Sequence, residues 1–218
     1  MRGLGIQLDA LRVLRACRAS GLRGYNVRVS SLVSSIAGEF RRYKALGDAA
    51  LAQITDEELD IGDPQHGTNS AAILVWHIGG NLQSRFTDFL TSDGEKPWRK
   101  RDEEFLTRTV TRDEVLAKWN GGWDALFGAL TEMTDEHLQQ TITIRGQSFP
   151  VHDALHRSLA HICYHVGQLV FLAKMFRREQ WKNLSIPLGQ SEEANRNPTH
   201  QDPAAHAGLI ATKITKKN

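Results

Sequence analysis

The sequence predicts an all-α protein: a four-helix bundle with a short β-hairpin ahead of the last helix. Three observations predict it. Four long segments repeat apolar residues at helical spacing. Capping residues, glycines and prolines punctuate their ends. One stretch, TITIRGQSFPV, breaks that rhythm with β-branched residues around an Arg-Gly turn. The 218 residues, 40% of them hydrophobic, are enough for one domain with a sizeable core.

The first helix is expected over Ser31–Ile54, where Val33, Ile36, Phe40, Tyr43 and Ala50 share a face. Residues 55–68 are polar, with Gly and Pro, and read as a loop with one helical turn after Thr55. The second helix is expected over Asn69–Leu90, capped by Asn69 or Ser70 and ended by Asp93-Gly94. A long basic loop with Pro97 follows. Its length excludes a simple helical hairpin and calls for a crossover.

Thr111-Arg112-Asp113-Glu114 is a capping box, in which hydroxyl and carboxylate satisfy two orphan amides, so the third helix starts there and ends near Met133. Trp119, Trp123 and Leu126 form its apolar stripe. The hairpin occupies residues 141–151, and the fourth helix runs from Val151 to Phe176.

Residues 1–30 hold six arginines and one acid. They read as a basic extension, either disordered or an over-extended start with the true one near Val33. An Arg-rich, acid-poor segment also resembles a transit peptide. Residues 31–188 form the bundle, and the polar residues 189–218 are expected to be a disordered tail. The body is mildly acidic, which gives no reason to expect nucleic acid. No uninterrupted apolar run approaches the roughly 18 residues of a membrane span, so no membrane partner is expected. Two cysteines, Cys17 and Cys163, make no disulfide framework, which fits a cytoplasmic setting.

The fourth helix carries four histidines. At about 100° per residue, His161 and His165 lie about 40° apart and one turn above each other, with Ala154, Ser158, Leu169 and Leu172 on their face. His152 and His156 point to the opposite, more polar side. Two inward imidazoles need partners, and a metal ion would satisfy both. His77, set among apolar residues in ILVWHIGGN, is the candidate third ligand. Gly79 and Gly80 after it let a neighbouring backbone come close, and Asn81 shares its face. Three nitrogens with open positions is the pattern of a catalytic metal. The plain alternatives are a chance His-x3-His spacing and a core histidine bonded to backbone.

Ile162 stands where a zinc metalloprotease needs its glutamate, which excludes that mechanism. Tyr164 and Gln168 border the metal-facing side, as hydrogen-bond donors or packing residues. Arg85, two turns beyond His77, suits an anionic substrate or a structural ion pair. The run Lys96–Arg101 either rims the site or is solvated surface, and Cys163 points away. No general base stands out.

The segments EFRRYKALGDAAL, VWHIGGNLQSRFTDFLTSDGEKPWR and HICYHVGQLVFLAK resemble the DinB superfamily, most nearly its DUF1572 branch, over Val33–Leu188. The resemblance implies up-down-down-up helices, a homodimer and a metal held by His77, His161 and His165. It implies relatives that act as metal-dependent hydrolases, or as transferases or isomerases using low-molecular-weight thiols; bacillithiol, mycothiol and glutathione are the thiols to test. The expectation is a metal-dependent hydrolase or thiol S-transferase acting on a small molecule. Zinc or nickel suits the imidazole ligands best, with iron or manganese next. The competing expectation is a non-catalytic metal-binding or stress-response bundle.

Overall fold

The computed structural model describes residues 31–215, so the basic extension lies outside the described residues. The chain is mostly helical, with one small two-stranded antiparallel hairpin. Helix α1 spans Leu32–Leu51, α2 Ala71–Phe86, α3 Arg112–Thr131 and α4 Val151–Arg177. Two further helices, α5 (Ser191–Arg196) and α6 (Pro203–Thr215), follow. Strands β1 (Thr141–Ile144) and β2 (Gln147–Pro150) pair with Ile144 opposite Gln147. Arg145 and Gly146, both at positive φ, make the tight turn.

Local chemistry accounts for the helix starts. The Ser31 hydroxyl accepts from the Ser34 amide, and the Asp135 carboxylate accepts from the Leu32 and Val33 amides. Ser70 caps α2 through the Ile73 amide. The Thr111–Glu114 box opens α3, and a second box, Thr55–Glu58, opens a single 3₁₀ turn in the loop before α2.

The core is shared. Helix α1 packs on α4 and α3, and α2 packs on α3 and α4. Phe40, Leu74, Ile78, Trp119, Trp123, Leu155 and Ile162 are fully buried there. Helix α4 has the length and composition of a membrane-crossing segment. Its Val151, Leu155, Ile162, Val166 and Leu169 belong to this core, and 33% of the apolar window is buried. At Gly79 and Gly122 the backbones of α2 and α3 touch. A Cβ on Gly79 would lie 2.6 Å from the Lys118 carbonyl, and one on Gly122 2.7 Å from Gly79 Cα.

Two expectations need correction. Helix α2 stops at Phe86, well before Asp93-Gly94, because Thr87 is extended and Asp88 takes a left-handed φ of 49°. That break turns Phe89 back against Phe86, with ring centroids 4.9 Å apart. It also lets the following loop fold onto α2, where Ser84 Oγ donates to the Gly94 carbonyl and accepts from the Lys96 amide.

The region 189–218, expected to be disordered, contains α5 and α6. Asp202 caps α6 by accepting from the Ala204 and Ala205 amides, and Pro203 stands at its first position. His206 and Ile210, one turn apart, are buried as α6 packs along α1, with Ile210 joining Ala49 and Leu184 in a small second cluster. The polar composition of the region as a whole hides this short amphipathic stretch.

Candidate metal centre

Helix α2 supplies His77 and α4 supplies His161 and His165 to one point. One ring nitrogen from each lies within 4.8 Å of the others. The Nε2 atoms of His77 and His161 are 3.0 Å apart. All three rings meet edge-on, with centroids 4.6 to 5.0 Å apart. Nitrogens on a tetrahedral ion with bonds of about 2.0–2.1 Å stand about 3.3 Å from one another, so this spacing suits a shared cation.

The outward nitrogens of His77 and His165 are engaged, which orients those two rings. His77 Nδ1 lies 3.0 Å from Glu104 Oε2, and Arg99 grips the same carboxylate through Nε at 2.8 Å and Nη2 at 2.9 Å. Burial pushes the Glu104 carboxyl up, but hydrogen bonds from Arg99 and His77 and their charges outweigh it and hold it below its ordinary range. Ionised Glu104 therefore accepts from His77 Nδ1–H, which leaves the Nε2 lone pair pointing at the cluster. His165 Nδ1 is 2.8 Å from Gln168 Oε1 and is oriented in the same way.

Burial, then the neighbouring His165 and His77, pushes His161 down to about 3. Burial lowers His165 as well. Neutral imidazoles are the form that ligates a metal.

Each remaining candidate has a defined place. Asn81, Arg85 and Tyr164 line a cavity of about 380 Å³ that opens on the three histidines. Tyr164 sits at its edge, 64% exposed, with its ring against His165. Arg85 reaches Glu95 at 3.5 Å. Of the Lys96–Arg101 run, Arg99 and Arg101 line the cavity, while Lys96 is buried and donates to Ser92 Oγ.

Cys163 is half-buried and shares a hydrogen bond with Tyr43, whose hydroxyl is raised to about 12 by that bond and by burial. His152 Nδ1 donates to the Leu138 carbonyl behind the hairpin, and His156 is exposed.

Sequence reasoning missed Glu104. It sits on a 3₁₀ turn, Arg101–Phe105, inside a loop without periodicity. One signal was present: Gly80, where a Cβ would collide with the Glu104 carboxylate. Gly80 makes room for a side chain, whereas Gly79 makes room for a backbone.

Residues 28–190 match the family described as "Protein of unknown function (DUF1572)". The chain belongs to the DUF1572 family. No curated protein and no solved structure matches it. The DUF1572 match contains the three histidines, Glu104 and the cavity, while α5 and α6 lie beyond it.

Proposed function

We propose that this DUF1572 protein is a DinB-like metal-dependent enzyme, a hydrolase or a low-molecular-weight-thiol S-transferase, with His77, His161 and His165 as its metal ligands. One observation carries the reading: three buried or half-buried imidazoles converge at the end of a cavity large enough for a small molecule. A structural metal site would be closed by a fourth protein ligand. This one faces space lined by Asn81 and Tyr164.

A divalent ion, with zinc or nickel best matched to three imidazoles, would act as a Lewis acid and lower the pKa of a water or thiol. The chain's own residues do the rest. Glu104 and Gln168 hold two of the imidazoles in register. Phe105 packs on the His77 ring, with centroids 4.6 Å apart, and keeps water from its back. The Tyr164 hydroxyl stands at the mouth as a donor to an incoming substrate.

The packing partners, α1 with α4, α4 with α2, α2 with α3 and α3 with α1, close a ring, which supports the four-helix bundle of the DinB resemblance. Exposed Tyr164, Phe171 and Met175 on one face of α4 support the homodimer that the resemblance implies.

Elemental analysis of protein purified without an affinity tag tests the reading. About one divalent ion per chain is expected, lost in a His161→Ala/His165→Ala double variant that stays folded. Protein that holds no ion after incubation with zinc, nickel, iron or manganese overturns it.

A further inference from the structure

The cavity beside the histidines has a strong charge bias. Arg85, Arg99, Arg101, Arg145 and Arg157 line it, and no carboxylate does among the described residues. Two acids behind the wall are shared among several cations. Glu95 serves Arg145 at 2.9 Å, Arg85 at 3.5 Å and Arg99 at 3.9 Å, while Glu104 serves Arg99 and His77. Arg157 has no ion pair among the described residues and lies over the Phe149 ring. Low-dielectric walls around such a set focus a positive field into the cavity.

Two residues of the wall each hold a covered donor without a hydrogen-bond partner among the described residues, Arg85 Nη1 and Ser158 Oγ, so a ligand reaches them only by a side-chain shift. A buried guanidinium nitrogen without an acceptor is costly, and an anion would satisfy it. Phe86, Phe89, Phe105 and Ile144 give the wall an apolar part beside Asn81, Tyr164 and the histidines. Arg85 stands eight residues after His77, about 12 Å along the helix axis, so an anion held there would carry a body reaching back towards the histidines.

We propose that the cavity binds a small organic carboxylate with an apolar body, its carboxylate received by Arg85 and Ser158 and its body lying on Phe86, Phe89 and Phe105. This names the substrate class of the proposed metal-dependent reaction and rests on that reading for the reaction alone. The carboxylate seat itself stands on the arginines and Ser158.

Titration calorimetry on the full chain, zinc-loaded and EDTA-treated, tests it with phenylacetate and its neutral counterpart phenylacetamide. Phenylacetate binds both forms, and the amide binds about tenfold or more weakly. Arg85→Met weakens phenylacetate about tenfold, and Ser158→Ala about threefold. Arg85→Lys and Ser158→Ala carry the test where Arg85→Met does not fold. Equal binding of acid and amide overturns the proposal, as does the absence of binding or variants that bind like the parent. Binding confined to the zinc form and indifferent to Arg85 places the carboxylate on the metal and also overturns it. A chain that takes no zinc yet binds phenylacetate through Arg85 defeats the metal reading and upholds this one.

Discussion

Glu104 accepts a hydrogen bond from His77 Nδ1 at 3.0 Å, and both side chains are buried. The same carboxylate is clamped by Arg99, whose side chain is 2% exposed. A loop turn thus orients an imidazole on a helix, and the histidine's free nitrogen is aimed by a residue 27 positions away.

Removing that carboxylate should weaken the proposed metal site. Glu104→Ala is expected to lower zinc affinity about ten- to a hundredfold, read by competition with a chromogenic chelator. Glu104→Gln keeps an acceptor but loses the charge, so its loss should be smaller. An unchanged affinity in both would show that Glu104 only seals the loop.

Gly80→Ala should imitate the Glu104 variants, since its methyl group would occupy the space of the carboxylate. Gly79→Ala pushes on backbone, the Lys118 carbonyl, and should cost stability of about 1–3 kcal/mol in urea denaturation with a milder effect on metal affinity. Identical behaviour of the two variants would contradict the separate roles assigned to them.

Chelation should lower the melting temperature. An ion that binds only the folded chain stabilises it by about 2.7 kcal/mol at a hundredfold excess over its Kd. The His161→Ala/His165→Ala chain should show no such response to EDTA or to added zinc.

Asp93 ties the loop after α2 to the hairpin. Its carboxylate accepts from the backbone N–H groups of Gly146, Glu95 and Arg145, and these hold it below its ordinary value of 3.8. A depressed folded value stabilises the protein above the ordinary value and is lost as pH falls through the folded one. Denaturation of Asp93→Asn should show its full deficit at neutral pH, and the gap from the parent should close below about pH 4. A gap that widens on acidification would refute this.

Helix α6 should add stability without serving the site. Ending the chain after Gln190 uncovers Ala49 and removes Ile210, a loss of about 2 kcal/mol by burial of one large aliphatic side chain. Metal content should stay at the level of the full chain.

Much of this architecture is legible in local patterns. The capping boxes at Thr111 and Thr55 mark helix starts because the side chain and the amide it satisfies lie three residues apart. The Arg145-Gly146 turn is legible because a tight hairpin demands two positive φ angles. The end of α2 is not legible. Nothing at Thr87 forbids a helix, and the chain leaves it where Phe89 packs on Phe86 and Ser84 holds the returning loop.

The sequence by itself determined that His161 and His165 share one face of α4, since 3.6 residues per turn is a property of the backbone. Only the tertiary structure decided that His77 Nε2 meets His161 Nε2 across 84 positions, and that Glu104 and Arg99 stand behind it. Helical periodicity constrains neighbours within a few turns. The meeting of α2, α4 and the 3₁₀ turn at Arg101–Phe105 depends on how buried faces and the glycines at 79 and 80 let those segments approach, and no local spacing encodes that.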